Sequence, residues 1–432
     1  MTQGGNAGPM TSLPLKRASA AVHLSARAAV LTGVYLAAAV AVLLTVIVLR
    51  TLVPSQTLSR FLGFILIASM AAGLEPGTVK AAALGEAGVE GASPAAYLAA
   101  GTIKALAASP VLALLWRFAD PAVPAAVLAW TPVLTVAGFC ATDLRARLDL
   151  RGRYALALAV KQGGLAGGFV LAGALVAAGV PLSGAVGVSC LARIASLALA
   201  GSREDRSGIH ERIGGAALPR QVGRLLGDRR WIDLAAVSAI AAASGGADRL
   251  FGLRYLAPAA YGGYYLTYEL FSRFWLVPYL LSPIVFARRA AAGGSDDGFA
   301  RLARGMLGLA GAAYLTATAG VVVLAPSLLR QVTGAFFGPA TLAFAAAVVV
   351  NSLSQLRLAE LQGAGRSRRA ALAVTAGAAV AIPLFFVVAR AFGGGGLLLA
   401  WLAKSVLELA LLTLGGARAP RKQGDGAPAS GR

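Results

Sequence analysis

The chain has 432 residues, of which 58% are hydrophobic and only 13% are charged, and its mean hydropathy is +0.73. A soluble globular protein carries about 25% charged residues, so this composition excludes a soluble enzyme, a disordered chain and a disulfide-stabilised secreted domain, and it indicates a polytopic membrane protein. The formal net charge of +21 would suggest a nucleic-acid-binding function in a soluble protein, but lysine and arginine are also concentrated in the cytoplasmic loops of membrane proteins.

Twelve apolar stretches are close to the length of about 20 residues that a membrane-spanning helix needs. They are continuous and rich in Ala and Leu, without the alternation of a membrane β-barrel, so they predict helices. The first six are Ala28–Leu49, Phe61–Val79, Tyr97–Trp116, Val123–Ala141, Tyr154–Val180 and Gly184–Ala200. The second six are Trp231–Ala247, Ala259–Phe286, Met306–Leu324, Gly338–Ser354, Ala370–Val388 and Leu397–Leu414.

The longest polar insert lies between the sixth and seventh spans and divides the chain into two sets of six helices. The predicted organisation is a tail over residues 1–27, an N-lobe over 28–200, a central loop over 201–230, a C-lobe over 231–414 and a tail over 415–432. Of the 39 Lys and Arg residues, 27 fall in segments on the side of the N-terminus and 7 on the other side. This bias predicts a multi-pass protein of the inner membrane with both termini, and hence the central loop, in the cytoplasm. It also explains most of the positive charge without nucleic acid.

The first span follows Lys16 and Arg17, as a signal peptide would, but its apolar stretch is long and we interpret it as a retained helix. The two halves share a spacing: Arg50 and Gly63 are 13 residues apart, and so are Arg249 and Gly262. This weak repeat favours duplicated lobes, which are common in transporters.

Metal and catalytic motifs are missing from the sequence. The two cysteines, Cys140 and Cys190, lie in apolar stretches, and the two histidines, His23 and His210, lie in polar segments. None has a neighbour at the spacing of metal ligands or of a catalytic triad. We therefore expect no metal, no cofactor and no enzymatic activity.

Charged residues inside the spans are candidate functional residues, because a charge at bilayer depth is costly unless it is paired, hydrated or turned to a cavity. Only two acids, Glu269 and Glu408, lie comparably deep. An excess of positive charge would make a cavity attractive to anions such as phosphate or carboxylate. The basic residues are Lys104, Lys161, Arg193, Arg273 and Lys404.

These charges also have structural interpretations. Glu269 with Arg273, and Lys404 with Glu408, are four residues apart and could neutralise each other between helices. The other three basic side chains could extend their charged groups to the cytoplasmic interface. Both interpretations remain open at this stage.

The eighth span is the most aromatic part of the chain. Tyr264, Tyr268, Phe271 and Trp275 share one helical face, which predicts either a packed core or a surface for stacking sugars. Two prolines in the same span, Pro278 and Pro283, predict a kink or hinge.

Three stretches together resemble a known family, and the turn Phe392–Gly396 also fits it. The three stretches are Arg50–Lys80 with Gly63 and Gly73-Leu74-Glu75, Ala247–Arg288 with Tyr261–Tyr265 and Pro283, and Ala359–Arg366. The chain resembles the polysaccharide flippase (Wzx-type) transporters of the multidrug/oligosaccharidyl-lipid/polysaccharide exporter superfamily. The resemblance implies an all-α polytopic membrane protein with about 12 transmembrane helices in two six-helix lobes around a central cavity. It also implies a transporter that moves a polyprenyl-pyrophosphate-linked oligosaccharide from the cytoplasmic to the outer leaflet by alternating access, for export of a polysaccharide such as lipopolysaccharide.

Roles for individual residues follow from this hypothesis. Arg273 and Lys404 are expected to contact the pyrophosphate. The further expected substrate-binding residues are Lys104, Arg193, Lys161, Arg249, Tyr264 and Tyr268. Candidates for coupling to a proton or sodium ion are Glu269, Asp248, Glu408 and Asp233. The other expected partners are membrane lipids, with no nucleic acid, and the transport unit is expected to be a monomer.

Three other functions or folds fit the sequence less well. A drug or cation exporter of the same superfamily would use buried acids, which are outnumbered here. A membrane-embedded polymerase or glycosyltransferase acting on lipid-linked sugars would use a long extracytoplasmic loop, and the predicted outer loops are short. A major facilitator transporter would carry a Gly-Asp-Arg-Gly-Arg-like run after the second span, where this chain reads Leu74-Glu75-Pro76-Gly77-Thr78-Val79-Lys80.

Overall fold

The structure, a computed structural model, describes residues 13–74, 78–83, 92–151, 153, 156–157, 159–205, 217–291 and 298–414. Side chains are described from Gly33 onward, except those of residues 78, 80, 83, 201–205, 217, 230 and 233. The side chain of Asp233, and most of the predicted terminal tails, lie outside this description. All regular secondary structure within these ranges is helical.

The first lobe contains six long helices. They are α1 (Leu13–Leu52), α2 (Ser55–Gly73), α4 (Pro94–Ala119), α6 (Thr131–Leu150), α7 (Ala159–Ala177) and α8 (Leu182–Asp205), with the short α3 (Thr78–Ala83) and α5 (Ala125–Leu128) between them. A shorter helix, α9 (Ala217–Gly227), leads to the second lobe. The first turn of α7, Ala159–Gly163, is a π-helix.

The second lobe also contains six long helices. They are α10 (Arg230–Tyr255), α11 (Pro258–Ala291), α12 (Gly298–Leu324), α14 (Pro339–Gly363), α15 (Ser367–Ala391) and α16 (Gly393–Leu414), with the short α13 (Pro326–Thr333) before α14. Eleven helices among the described residues are long and apolar enough to cross a membrane. The twelfth long helix, α10, has 26 residues and packs between α2 and α15. It is more polar because it carries Asp248 and Arg249. The predicted all-α fold with two lobes is confirmed.

Helix α11 changes geometry near its middle. Residues Ser272–Trp275 form a 3-10 turn between two α-helical parts. Pro278 lies three residues after the end of this turn. A proline has no N–H to donate to the carbonyl four residues earlier, here that of Phe274, and its ring clashes with that carbonyl. The tighter turn absorbs that clash, so it rotates the face of α11 beyond Trp275 relative to the face before it.

Helices α2 and α6 pack closely enough that their backbones nearly touch. A Cβ added to Gly138 would lie 2.6 Å from the carbonyl oxygen of Ala71. Thr142, one turn further along α6, donates a hydrogen bond of 3.0 Å to the carbonyl of Ala72. The glycine is therefore required by the close approach of the two helices.

We expect Gly138→Ala to lower the apparent unfolding temperature of the purified protein. Overpacking costs about 1–3 kcal/mol, which exceeds the gain of about 1 kcal/mol in helix propensity on replacing glycine with alanine. Gly167→Ala is the matched control, because a Cβ at this helical glycine would meet nothing within 4 Å. An equal or higher unfolding temperature for Gly138→Ala would show that the two helices can separate without cost.

The lobes contact each other at one end of the molecule, where α1 ends and α2, α11 and α14 begin; we call it the contact end. There Arg50 donates hydrogen bonds to the carbonyls of Gln331 (3.4 Å) and Val332 (3.3 Å), at the end of α13. Phe118 of the first lobe packs edge-on against Phe251 of the second, with ring centroids 6.0 Å apart. The opposite end, where α2, α11 and α14 finish, is called the cavity end.

Candidate functional site

A cavity of about 540 Å³ lies between the lobes toward the cavity end. Its walls come from α2, α6 and α7 of the first lobe and from α10, α11, α14 and α16 of the second. The first lobe contributes the last turns of α2 and α6, such as Gly73 and Leu150. Ligand cavities of roughly 300–1,000 Å³ are typical of small-molecule sites, and the position between two lobes is one that alternating-access transporters use.

The charged side chains that line the cavity have an excess of two positive charges. The lining includes four basic residues, two acidic residues and three amides. They are Arg145, Lys161, Arg249, Lys404, Asp149, Glu408, Asn351, Gln355 and Gln362. Because the surrounding helices and bilayer have a low dielectric constant, this excess acts more strongly than it would in water. The cavity therefore favours an anion over a cation.

Arg249 lies where the cavity reaches furthest toward the contact end. One Nη of Arg249 donates a hydrogen bond of 2.8 Å to the carbonyl of Gly245, and the guanidinium lies 4.3 Å from the ring centroid of Tyr268. Behind it, the fully buried Asp248 accepts a hydrogen bond from the hydroxyl of Tyr264. The Asp248 carboxylate also lies 3.7 Å from Nε of Arg249. Asp248 and Tyr264 thus hold the arginine in place from outside the lining.

The sequence interpretation ended the seventh span at Ala247 and assigned Arg249 to an outer loop. In the structure α10 continues to Tyr255, so Arg249 lies within the helix and faces the cavity. A charged residue interrupts an apolar stretch of sequence, but the helix can continue through it when the charged side chain lies on the face of the helix that borders a cavity and not on the face that borders lipid.

Lys404 and Glu408 form a salt bridge of 2.8 Å within α16, and both line the cavity. The two side chains are 4% and 11% exposed. The ammonium group of Lys404 also lies 4.7 Å from the ring centroid of Trp401. The pairing inferred from their spacing is therefore present, and it coexists with a position at the cavity.

Arg145 connects the two lobes across the cavity and was assigned from the sequence to a loop. Its Nε pairs with Asp149 at 3.1 Å on the same helix, and one Nη donates to the carbonyl of Tyr279 at 3.1 Å on α11. Its guanidinium stacks on the Tyr279 ring at 3.6 Å. Nearby, Lys161 lines the cavity from the π-helical turn of α7. The sequence missed Arg145 because the apolar run ends at Ala141, nine residues before α6 does.

Four aromatic side chains form one wall of the cavity: Tyr268, Trp275, Tyr279 and Trp401. The Trp275 ring lies 5.6 Å from that of Tyr268 and 5.5 Å from that of Trp401. Aromatic faces of this kind can stack on the apolar faces of sugars. Trp401 could have been suggested from the sequence, because it lies one helical turn from Lys404.

The predicted aromatic stripe is divided by the structure. Tyr268 and Trp275 line the cavity, whereas Tyr264 and Phe271 are buried in the core away from the lining. Tyr264 acts instead through its hydrogen bond to Asp248. Tyr264, Tyr268 and Phe271 all lie in the α-helical part of α11 that precedes the 3-10 turn, so packing around a regular helix, and not the turn, divides them.

Of the five basic residues inside the predicted spans, Lys161 and Lys404 are among the residues that line the cavity, and the other three are not. Lys104, on α4, lies 3.8 Å from the ring centroid of Trp231. Arg193, on α8, is only 4% exposed and packs against Gly168 of α7. Arg273 pairs with Glu269 on α11 and interacts with Tyr35 of α1. Each lies on a helix face turned to other helices.

Comparison with known proteins identifies the fold. No family model and no curated protein matches the chain. Solved structures do match it: the Vibrio cholerae MATE transporter VcmN is 13% identical with a TM-score of 0.60, and 89% of this chain and 96% of that chain are covered. The chain has the fold of the MATE transporters.

Two further structures agree. The eukaryotic MATE transporter AtDTX14 is 17% identical with a TM-score of 0.59, covering 90% of this chain and 93% of its own. A MOP superfamily transporter from Pyrococcus furiosus is 12% identical with a TM-score of 0.59, and the match covers 89% of this chain and 92% of that chain. That protein is described as having a binding pocket of reversed polarity that suggests a different function. At these identities the likeness concerns the fold and leaves the substrate to be inferred from the cavity.

Proposed function

We propose that this protein is a membrane transporter working by alternating access, and that its substrate is a polyprenyl-pyrophosphate-linked oligosaccharide moved from the cytoplasmic to the outer leaflet for polysaccharide export. The observation that carries the proposal is the cavity between the lobes, which combines an excess of two positive charges with an aromatic wall. The charges suit a pyrophosphate, and the aromatic rings suit the attached sugars.

The residues have distinct roles in this proposal. Arg249 offers a planar guanidinium that can bind two phosphate oxygens at once, while Lys161 and Lys404 supply further positive charge. Trp275 and Trp401 stack on the sugar next to the pyrophosphate. A cavity of about 540 Å³ holds a headgroup and not a long lipid chain, so the polyprenyl tail stays in the bilayer.

Alternating access requires that the cavity open to each side in turn. Under the predicted orientation the cavity end faces the cytoplasm, where the lipid-linked glycan is made available. The contacts of Arg50 and of Phe118 with Phe251 close the outer side. Transport then requires that these contacts break while new ones form at the cavity end.

We expect Arg50→Ala to increase the fraction of molecules open at the contact end. The substitution removes the two hydrogen bonds from the Arg50 guanidinium that join the end of α1 to the end of α13. A Leu58→Cys variant, buried at this end, reports opening through its rate of reaction with a thiol reagent. Arg330→Ala is the control, because Arg330 is an exposed arginine of α13. If Leu58→Cys reacted with the thiol reagent at the same rate in the Arg50→Ala and Arg330→Ala variants, the hydrogen bonds of Arg50 would not hold the contact end closed.

Two buried acids are proposed to couple transport to a proton or sodium ion. Asp248 and Glu408 are buried acids beside the cavity cations Arg249 and Lys404, so a proton or sodium ion bound there would alter the charge that the substrate meets. Glu269 pairs with Arg273 away from the lining. On this geometry Asp248 and Glu408 are the stronger candidates for coupling.

Deletion of the protein in its host tests the proposed function. We expect the lipid-linked glycan to accumulate on the cytoplasmic leaflet, surface polysaccharide to be lost, and both to be restored by the wild-type chain. A matched variant, Arg249→Ala, should fail to restore export at normal protein levels. Unchanged surface polysaccharide in the deletion strain would overturn the proposal.

A multidrug exporter is the second candidate function. The aromatic wall and the acids Asp149 and Glu408 could bind a flat cationic drug. A MATE transporter described as a multidrug resistance protein also matches, at 12% identity with a TM-score of 0.56 over 88% of this chain and 94% of its own. Against this, both acids are paired with basic residues. Increased sensitivity of the deletion strain to cationic dyes, with normal polysaccharide, would favour the exporter.

A further inference from the structure

A second charged cluster lies outside the cavity, near the cavity end of the second lobe. Its centre is Glu360 of α14, whose side chain is 2% exposed. Three arginines surround it: Arg304 of α12 donates a hydrogen bond to it, Arg357 lies at 2.7 Å, and Arg289 of α11 lies at 3.8 Å. The cavity lining includes the neighbouring Ala359 and Gln362 but none of these four residues. We call them the Glu360 cluster.

Arg304 and Arg357 together have more N–H donors than Glu360 can accept. Both donate to the Glu360 carboxylate, and each guanidinium has five N–H donors while a carboxylate has two acceptor oxygens. The side chains of Arg304 and Arg357 are 39% and 26% exposed. Two of the arginines therefore present positive charge at the surface, where another anion can reach it.

Beside Arg304, helix α12 carries an exposed stripe with room for an apolar chain. Arg301, Gly305, Gly308 and Ala312 follow each other at spacings of four, three and four residues, so they share one helical face, and all four are exposed. A Cβ added to Gly305 or Gly308 would meet nothing within 4 Å. This open stripe starts at a basic residue and continues toward the middle of the span.

The depth of the arginines matches a lipid headgroup. Arg304 is six residues from the start of α12 and Arg357 is six residues from the end of α14, which places both about 9 Å from the same end of the lobe. Anionic headgroups bind basic sites between transmembrane helices on the cytoplasmic side. A free phosphate has no apolar part that could contact the stripe.

We propose that the Glu360 cluster and the α12 stripe form a binding site for an anionic phospholipid of the surrounding leaflet. Arg301, Arg304 and Arg357 bind the phosphate, and an acyl chain lies over Gly305 and Gly308. This site is separate from the cavity, and the proposal does not depend on which substrate the cavity binds.

The test measures lipid binding to the full-length protein in nanodiscs. Native mass spectrometry counts phosphatidylglycerol molecules retained by the protein, and thermal unfolding compares phosphatidylglycerol with phosphatidylcholine nanodiscs. We expect the wild type to retain phosphatidylglycerol and to unfold at a higher temperature in it. Arg301→Gln/Arg304→Gln should weaken retention at least roughly tenfold, since each charged hydrogen bond lost costs about 1.5–3 kcal/mol.

Two further variants separate the site from general effects. Gly308→Leu fills the stripe without changing the charge and should also reduce retention, whereas Gly167→Leu, at an exposed glycine of α7 with nothing within 4 Å, should not. Arg330→Gln is the charge control at the contact end. If the double variant is poorly folded, the retention of phosphatidylglycerol is compared instead for Gly308→Leu and for the single variant Arg301→Gln.

Three outcomes would overturn the proposal. Retention equal to wild type in both the arginine and glycine variants would show that bilayer surface charge alone attracts the lipid. Stabilisation by inorganic phosphate in phosphatidylcholine nanodiscs, lost in Arg301→Gln/Arg304→Gln but kept in Gly308→Leu, would show a free-phosphate site. Loss of retention in Arg330→Gln to the same extent would show a non-specific charge effect.

Discussion

Arg249→Ala is expected to abolish transport of the lipid-linked glycan. The substitution removes the guanidinium that faces the cavity beside Tyr268, and truncating one partner of a buried charge pair costs about 2–5 kcal/mol. Binding of a pyrophosphate headgroup should therefore weaken by at least roughly 30-fold. The measurement is restoration of surface polysaccharide in the deletion strain, with the amount of protein in the membrane determined in parallel.

The control for Arg249→Ala tests whether the substitution destabilises the protein through Asp248, the buried acid beside Arg249. Without Arg249 the fully buried Asp248 loses its nearby cation, which could destabilise the fold. The double variant Arg249→Ala/Asp248→Asn removes that charge and should recover protein levels but not transport. Wild-type export by either variant would show that Arg249 does not bind the substrate.

The Lys404–Glu408 pair carries the second large expected effect. Lys404→Ala leaves the buried Glu408 without its partner at 2.8 Å, and breaking a buried ion pair in this way costs about 3–5 kcal/mol. We expect Lys404→Ala to lower the apparent unfolding temperature and to abolish transport.

A double substitution distinguishes structure from function at this pair. Replacing both partners with apolar residues of similar size is often neutral or stabilising, so Lys404→Met/Glu408→Met should regain wild-type stability. If the pair contacts the substrate or the coupling ion, the double variant still fails to transport. Normal transport by the double variant would mean that the pair has only a structural role in α16.

The number and order of the helices could be predicted from the sequence because apolar length is a direct requirement of the bilayer. Even α10, which carries Asp248 and Arg249, could be predicted, since Trp231–Ala247 remains apolar between the charged ends of the helix. The bounds were less accurate than the number of helices, both in helices that line the cavity and in others such as α1 and α12. Helices α6 and α10 extend past Ala141 and Ala247 with Arg145 and Arg249 on their cavity faces.

The direction in which a buried charge points could not be predicted from depth alone. Lys104, Arg193 and Lys404 lie at similar depths along their spans, yet only Lys404 lines the cavity. Hydropathy gives the position of a residue along a helix, whereas the rotation of that helix depends on packing between helices. Similarly, packing between helices divides the aromatic stripe of α11 between the cavity and the core. The 3-10 turn at Ser272–Trp275 was not predicted either, although Pro278 gave a signal that a distortion lay nearby.

The measurement that tests the account most directly is ligand binding to the purified protein in nanodiscs, followed by quenching of tryptophan fluorescence from Trp275 and Trp401 at the cavity. The probes are polyprenyl pyrophosphate, polyprenyl monophosphate and the cationic dye ethidium. We expect the pyrophosphate to bind most tightly, the monophosphate more weakly, and both to lose affinity in Arg249→Ala. Tight binding of ethidium that Arg249→Ala leaves unchanged and Glu408→Gln abolishes, with no binding of the pyrophosphate, would contradict a cavity built for an anionic headgroup.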